Sequence, residues 1–455
     1  MALADFTAGT AHAAPAPYRP RTLAVLAGAL CLALASMSSL ARADALDARV
    51  LADLADQQAR ASFPLLRELL RIPNDANSPA DIEKNIVWCE EAFGDRGFSL
   101  ARIATPKIPL LLAERRVLGA DTTVLVYLQV DGQPVDPGAW FQDDPYEPTL
   151  KRRNALGEWQ ALEWSAIENY DDEMRVFARS ASDAKGPVAM FLAALDGLAK
   201  QGIEPNFNLK IIMDFEEELG SPRLPQAVLD NRERLAADML VIFDGPRHIT
   251  NRPTLTYGAR GITELTLTTY GPIVPQHSGH FGNYAPNPAL RLAQLLASMK
   301  DADGRVTIPG FYDGIEIDAD TESILRAVPD DEQQIRERLQ LGSVDRVGRF
   351  YQEAIQYPSL NIRGMRSGWI NEEKRTIVPA WARAELDMRL VLESDSDRLV
   401  GLVADHIRRQ GYHLTDSEPD FETRMAHEKI ASLTWREHYQ SFRTPFDSTV
   451  GSWLR

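Results

Sequence analysis

Acidic residues follow three apolar runs of the sequence, at the point where each run ends. The run Thr123–Val130 ends at Asp131, the run "NLKIIMDF" ends at glutamates 216–218, and the run 238–243 ends at Asp244. Continuous apolar, β-branched runs are typical of strands buried on both faces. In an open α/β sheet, ligands bind beyond the carboxyl ends of the strands. Several carboxylates at that edge repel one another unless cations lie between them, so the pattern predicts a divalent-metal site.

Each of these residues also has a simpler interpretation when it is taken alone. The glutamates 216–218 fit a solvated corner beside a turn, and Asp183 in "SASDAKGP" fits the N-terminal cap of the helix that follows. His277 fits a turn histidine, and Arg389 fits a surface arginine on a half-exposed strand. The chemical interpretation therefore depends on the arrangement of the whole chain.

The elements that would position these residues follow from the hydrophobic spacing. Amphipathic segments predict helices at "ARASFPLLRELLRI", "DIEKNIVWCEEAF" and "VAMFLAALDGLAKQG". Helices that alternate with buried strands predict an α/β domain with a mostly parallel sheet. From Tyr257 the strands alternate polar and apolar residues, which predicts a smaller α+β domain inserted into the first.

Six segments, taken together and in order, resemble the M20 family of metallopeptidases, which includes carnosine-type dipeptidases, aminoacylases and glutamate-releasing carboxypeptidases. Four resemble the family's metal and base motifs, and two resemble motifs of its lid domain: "YLQVDGQPVDPGAW", "SASDAKGP", "EEELGSP", "FDGP", "PQHSGHFGNYAPNP" and "IVPAWARAELDMRLV". The resemblance implies a catalytic domain of residues 44–256 and 416–455. It also implies an inserted lid and dimerisation domain of residues 257–415.

The resemblance implies a role for each matching residue and two bound divalent ions, zinc by family, with manganese, cobalt or magnesium as alternatives. Asp183 would bridge the ions, and Glu218 and Asp244 would each bind one. Glu217 would be the general base, and Asp131 would orient the histidine or metal beside it. In the lid, His277 would stabilise the developing oxyanion and Arg389 would hold the carboxylate of the substrate.

The sequence departs from the family pattern at two places. Gln129 stands where the family has a histidine ligand, and an amide oxygen is a poorer zinc ligand than imidazole. The family pattern also continues with a final histidine ligand beyond the point where this chain ends, at Arg455. On this basis we expect a truncated catalytic domain, weak metal binding, and little peptidase activity from residues 44–455 alone.

Composition and the first residues bear on partners and location. The 455-residue chain has a net charge of −16, which disfavours nucleic acid and anionic membranes as partners. Basic residues followed by "TLAVLAGALCLALA" and "ARA" predict a signal peptide of residues 1–43 and export to the periplasm or the medium. Cys89 would then be the single remaining cysteine of the sequence, so no intrachain disulfide is expected.

The expected function is metal-dependent hydrolysis of amide bonds in small peptides or N-acyl amino acids, by a homodimer formed through the lid. The alternative from another class is an exported binding protein on the same fold, impaired in catalysis by Gln129 and the absent histidine.

Overall fold

The computed structural model describes residues 48–245, 247–250 and 252–455. The predicted signal peptide, with Cys31, lies outside the described residues. The chain divides into two compact units, of which the first ends at Asp244 and the second runs from Gly245 to Arg455. Within the described ranges, no helix has the length and apolar character that crossing a membrane requires.

The first unit contains five helices and eight strands among its described residues. Its described helices are α1 (Ala48–Leu70), α2 (Pro79–Gly94), α3 (Lys185–Lys200), α4 (Leu224–Asp230) and α5 (Arg232–Leu235), with 3-10 turns at Pro137–Ala139, Trp164–Asn169 and Glu217–Leu219. Its strands are β1 (Ser99–Ile103), β2 (Leu110–Arg115), β3 (Thr123–Gln129), β4 (Thr149–Arg153), β5 (Trp159–Ala161), β6 (Arg175–Phe177), β7 (Asn208–Asp214) and β8 (Met239–Ile242).

The main sheet of the first unit has the strand order β1-β2-β7-β3-β8. Strand β3 runs parallel to both of its neighbours, β7 and β8, as the buried apolar runs predicted. Strands β1 and β2 form an antiparallel hairpin on the other side of β7, which the sequence analysis did not predict. The predicted α/β class is confirmed, and the sheet is mixed because of this hairpin.

A buried lysine fixes the start of α3 against the end of α1. The amino group of Lys185 donates to the carbonyl oxygens of Leu69 (2.9 Å) and Ile72 (2.5 Å), where α1 leaves carbonyls without helical partners. Burial lowers the pKa of Lys185 to about 7. Because Lys185 follows Asp183 by two residues, this contact also holds the loop that carries Asp183.

The second unit combines a larger sheet with helices and two short strand pairs. Its described helices are α6 (Ser278–Phe281), α7 (Pro288–Ala297), α8 (Ala319–Arg326), α9 (Glu332–Leu339), α10 (Tyr351–Ala354), α11 (Ser396–Arg409), α12 (Phe421–Ala426) and α13 (Thr449–Leu454), with a 3-10 turn at Asn371–Glu373. Its strands are β9 (Gly258–Ala259), β10 (Gly261–Tyr270), β11 (Gln276–His277), β12 (Ser359–Arg366), β13 (Ile377–Val378), β14 (Trp381–Leu390), β15 (His413–Thr415), β16 (Ile430–Tyr439) and β17 (Phe442–Arg443).

The larger sheet of the second unit has the order β12-β14-β10-β16-β15. Alternate residues of β14, from Ala382 to Leu390, are buried in one apolar core with residues of α7 and α11. The residues between them, such as Arg383 and Arg389, therefore lie on the opposite face of the sheet. One covered face explains the alternation of polar and apolar residues that the sequence shows in β10 and β14.

The segment 416–455, which the sequence analysis assigned to the catalytic domain, belongs to the second unit in the structure. Strand β16 pairs with β10 along nearly its whole length, and β17 pairs with β9. A Cβ atom at Gly258 would lie 2.3 Å from the carbonyl oxygen of Phe442, and one at Gly261 would lie 2.7 Å from that of Tyr439. Glycine is required at both positions because the returning backbone passes too close for a side chain.

Candidate metal centre

The three parallel strands of the first unit end side by side, and this brings the predicted acids to one edge. Gln129 at the end of β3 is paired with Asp214 at the end of β7, and the N–H of Val130 donates to the carbonyl oxygen of Asp214 at 3.0 Å. Beyond these ends lie Asp131, the glutamates 216–218 and Asp244. Parallel strands place their carboxyl ends together, so the first unit collects the predicted ligands from distant parts of the sequence.

Asp131 is buried, and among the described residues one of its carboxylate oxygens has a hydrogen-bond donor and the other has none. It is 1% exposed, and its Oδ2 accepts the N–H of Glu218 at 3.0 Å. Among the described residues, no donor reaches the buried Oδ1. Burial raises the pKa of Asp131 to about 7, against the lowering effect of the Glu218 N–H. The carboxylate therefore stabilises the 3-10 turn Glu217–Leu219 (the glutamate turn). Its other oxygen stays available to a ligand inside the protein.

Gln129 is oriented by Asp183. Its side-chain amide donates a hydrogen bond to the Asp183 carboxylate, which leaves the buried Oε1 with no donor in the described part of the chain. Burial, and next the charge of Asp244, raise the pKa of Asp183, while the hydrogen bond from Gln129 opposes them. Gln129 and Asp131 thus each present one unpartnered buried oxygen, and a cation would satisfy both.

Glu217 lies among the other acids of this edge. Burial, and then the charges of Asp244, Glu218, Asp131 and Asp183 in that order of effect, raise its pKa to about 7. The neighbouring Glu218 points differently, because its Oε2 accepts the side-chain amide of Gln133 at 2.7 Å. A carboxyl with a pKa near neutrality can hold or release a proton under ordinary conditions, as a general base must.

The residues at this edge have the chemistry of a divalent-metal site. Their donors are carboxylate and amide oxygens, two of them buried without partners in the described residues, and burial, followed by mutual repulsion, raises the pKa values of several. In the ranges that the structure describes, no three or more His, Cys, Asp or Glu side chains are arranged to hold a metal ion. The acids therefore lie near one another without converging on one point. The feature that fits a metal ion is the type of donor atom, which is carboxylate or amide oxygen throughout.

One further residue joins this edge, and no motif of the sequence contains it. The buried amide of Asn74 donates to the carbonyl oxygen of Val130 at 2.7 Å and to the hydroxyl of Ser180 at 2.9 Å. It therefore connects the end of β3 with the loop that leads to Asp183. Asn74 belongs to no motif, and a single asparagine after a helix gives no signal of such a contact.

His277 and Arg389 belong to the second unit. His277 is exposed and caps the short helix α6, since its Nδ1 accepts the N–H of Gly279 at 3.1 Å. A neutral imidazole whose Nδ1 accepts carries its proton on Nε2, which can then donate to a substrate oxygen. The ring of His280 lies 5.0 Å from that of His277, centroid to centroid.

Arg389 is half-buried on β14, opposite Ile262 of β10 and Ser359 of β12. A second arginine lies near it, which the sequence analysis missed. The Nη2 of Arg260 donates to the carbonyl oxygen of Tyr357 at 3.0 Å, and no described residue accepts from its buried Nε. Burial, and next the positive charge of Arg389, lower the pKa of Arg260.

The raised pKa values predict how stability changes with pH in the metal-free protein. The pKa of Glu217 lies near 7 in the folded chain and at its ordinary 4.5 in the unfolded one. The contribution of Glu217 to the free energy of unfolding is therefore fully present below pH 4.5 and is lost as pH rises through 7. In EDTA at pH 8, Glu217→Gln should raise the melting temperature by about 2 to 4 °C. This shift corresponds to a gain of about 1 kcal/mol in the free energy of unfolding, after allowance for solvent screening.

The same variant should melt close to wild type at pH 5, where Glu217 is already protonated. Asp121→Asn, at an exposed acid before β3, serves as the matched control and should change neither value. A loss of stability between pH 5 and pH 8 that is equal in wild type and Glu217→Gln would contradict the prediction.

The sequence of the chain is similar to those of known peptidases. A family model described as the M20 peptidase dimerisation domain matches residues 257–415. The Cys-Gly metallodipeptidase dug1 of Schizosaccharomyces pombe is 26% identical over 309 residues, which are 67% of this chain and 61% of that protein. The human Beta-Ala-His dipeptidase is 28% identical over 294 residues, which are 63% of this chain and 53% of that protein. The chain thus spans less than two thirds of either relative.

A solved structure shares the fold of most of the chain. The M20 family metallo-carboxypeptidase Sso-CP2 from Sulfolobus solfataricus superimposes with a TM-score of 0.64 at 25% identity, over 86% of this chain and 81% of that one. The chain is therefore similar to M20 family peptidases, in its matched dimerisation domain and in its fold. The residues that match the family's dimerisation domain include His277 and Arg389 and contain β10, α7, β14 and α11.

Proposed function

We propose that this chain hydrolyses the amide bond of dipeptides in a metal-dependent reaction. The observation that carries the proposal is the position of Glu217, a carboxyl with a pKa near 7, among acids and beside the unpartnered buried oxygens of Gln129 and Asp131. The names of the relatives, a Cys-Gly and a Beta-Ala-His dipeptidase, support a dipeptide as substrate. A binding protein without activity finds no support in these comparisons.

Gln129, Asp183, Glu218 and Asp244 are the residues that would hold the metal. Two divalent ions held by them would acidify water and polarise the scissile carbonyl. Glu217 would take a proton from the attacking water and transfer it to the leaving amine, a task for which its raised pKa suits it. Asp131 would hold the turn that carries Glu218, through its hydrogen bond to the Glu218 N–H.

His277 and Arg389 would recognise the substrate. The Nε2–H of His277 would donate to the oxyanion that develops during attack. Arg389 would bind the carboxylate at the end of the dipeptide. We also propose a homodimer through the matched dimerisation domain and export to the periplasm or the medium, which sedimentation of the pure protein and fractionation of cells would test.

The function is tested by assaying the chain against Cys-Gly, β-Ala-His and an N-acetyl amino acid, each with added Mn²⁺, added Zn²⁺ or EDTA. Metal-dependent release of free amino acid from either dipeptide supports the proposal, and preference for the N-acetyl substrate would replace dipeptides by acylated amino acids as its substrates. Hydrolysis that persists in EDTA, or none with either metal, contradicts it. Robust hydrolysis with either metal would contradict the expectation, from the sequence, that residues 44–455 alone have little peptidase activity.

The oxygen donors also predict the preferred metal. With Gln129 in place of an imidazole, we propose that the site favours Mn²⁺ or Mg²⁺ over Zn²⁺, because hard cations prefer oxygen ligands. Gln129→His should raise the affinity for Zn²⁺ by about tenfold or more and change that for Mg²⁺ little, as measured by calorimetry. Gln133→His, at an exposed residue beside the site, is the control. An equal gain in both variants would show that any nearby histidine suffices.

A further inference from the structure

Asp214 is a buried carboxylate behind the glutamate turn, and the proposed reaction gives it no part. It is the last residue of β7 and is 2% exposed. Its Oδ1 accepts the N–H of Glu216 at 3.0 Å, and its Oδ2 accepts the hydroxyls of Ser221 at 2.6 Å and Tyr127 at 3.1 Å. A buried carboxylate is costly unless donors surround it, and these neutral donors compensate for its burial.

Two of these hydrogen bonds close one loop. Glu216 and Ser221 lie on either side of the 3-10 turn, and the N–H of Ser221 also donates to the carbonyl oxygen of Glu216 at 3.0 Å. Ser221 has φ of 48°, a left-handed conformation that a residue with a side chain adopts only when its surroundings hold it there. A single carboxylate therefore fixes both ends of the loop that presents Glu217 and Glu218.

The third hydrogen bond joins this loop to the neighbouring strand. Tyr127 and Gln129 are alternate residues of β3, so their side chains share one face of the sheet. Burial, and next the charge of Asp214, raise the pKa of Tyr127, and its phenol therefore stays protonated as a donor. Asp214 thus connects the glutamate turn with the strand that carries Gln129.

We propose that Asp214 is a positioning residue, which holds Glu217 and Glu218 in place relative to Gln129. The inference rests on the proposed metal-dependent function of these residues. Asp214 itself would contact neither metal nor substrate. Its effect would come through the hydrogen bonds to Glu216, Ser221 and Tyr127.

Two substitutions at Asp214 separate hydrogen bonding from charge. Asp214→Ala removes all three acceptor contacts, and we expect kcat for a dipeptide to fall by about tenfold or more with KM unchanged within about twofold. The affinity for Mn²⁺ should fall as well, because Glu218 loses its fixed place. Asp214→Asn keeps an acceptor for the Glu216 N–H, and its amide can donate to the hydroxyls, which rotate to accept. This variant should recover most of kcat and of the Mn²⁺ affinity.

Glu216→Gln provides a matched control for stability. Glu216 is buried beside Asp214, but its carboxylate pairs with Arg223 and not with the turn. This variant should lower the melting temperature and leave kcat and Mn²⁺ affinity near wild type. If Asp214→Ala behaves in the same way, with only its melting temperature reduced, Asp214 is structural and the inference is wrong.

The two proposals can fail separately. Mn²⁺ binding by a wild-type chain that hydrolyses no dipeptide would contradict the proposed function, and the Mn²⁺ affinities of the Asp214 variants would still decide the inference. A wild-type chain that binds no Mn²⁺ would overturn both.

Discussion

Replacement of Glu217 by glutamine should reduce the turnover of a dipeptide by at least about a hundredfold, while the bound metal stays near the wild-type amount. Glutamine has the size of glutamate and cannot accept the proton of the attacking water. Burial, and next the charges of Asp244, Glu218, Asp131 and Asp183, keep the pKa of Glu217 high enough to return that proton to the leaving amine. Steady-state kinetics and atomic emission on the same sample measure both quantities.

Glu218→Gln is the matched comparison, because it changes the adjacent residue in the same way. Glu218 is a proposed ligand, so this variant should lose metal and turnover together. If Glu217→Gln instead loses as much metal as Glu218→Gln, the roles of the two glutamates are exchanged. Glu217→Gln should therefore lose activity and, without metal at pH 8, gain stability. Both effects follow from the removal of the Glu217 carboxylate charge.

Replacement of Arg389 by alanine should weaken the use of substrates that carry a free terminal carboxylate by about 2 to 5 kcal/mol in kcat/KM. Arg389 is half-buried near Arg260; burial, and next the charge of Arg389, lower the pKa of Arg260, and the carboxylate of Asp387 opposes them. The local charge is therefore positive in a chain whose net charge is −16, and a substrate carboxylate would compensate for it. The measurement compares a dipeptide with the same dipeptide amidated at its C-terminus.

Arg383→Ala controls for the loss of an arginine from the same face of β14. Arg383 is exposed, and its Nε donates to the hydroxyl of Thr268 at 3.1 Å. This variant should treat both substrates almost as wild type does. Equal losses for the acid and the amide in Arg389→Ala would mean that Arg389 supports the sheet and does not bind the substrate.

Much of the fold was predictable because its hydrophobic patterns are strong. The run Thr123–Gln129 forms a strand buried between two parallel neighbours, and such strands are apolar throughout. The hairpin strand Leu110–Arg115 was missed because a short apolar run fits a buried helix equally well. The pairing of strand β16 with β10 was not predictable, because chain order does not indicate which sheet a strand will join and β10 lies far away in sequence.

The sequence predicts which residues form the candidate site, but it does not predict the orientations and contacts of their side chains. Acids at the ends of parallel strands must meet at one edge, so the place of Asp131 and Glu217 followed from the sequence. The amide orientation of Gln129 depends on Asp183, which comes from another segment. The contacts of Asp214 likewise join residues of two strands and a turn, and no local pattern reports them.

The pairing of β16 with β10 determines how the second unit can be isolated. Residues 257–415, the extent of the matched dimerisation domain, do not include β16 (Ile430–Tyr439). A recombinant fragment with those limits would expose one whole edge of β10, and such an edge is a template for aggregation through strands of other molecules. Gly258 and Gly261 would also lose the backbone that packs against them. A fragment intended for crystallisation or binding studies should therefore run from Gly245 to Arg455, so that every interior strand keeps both of its neighbours.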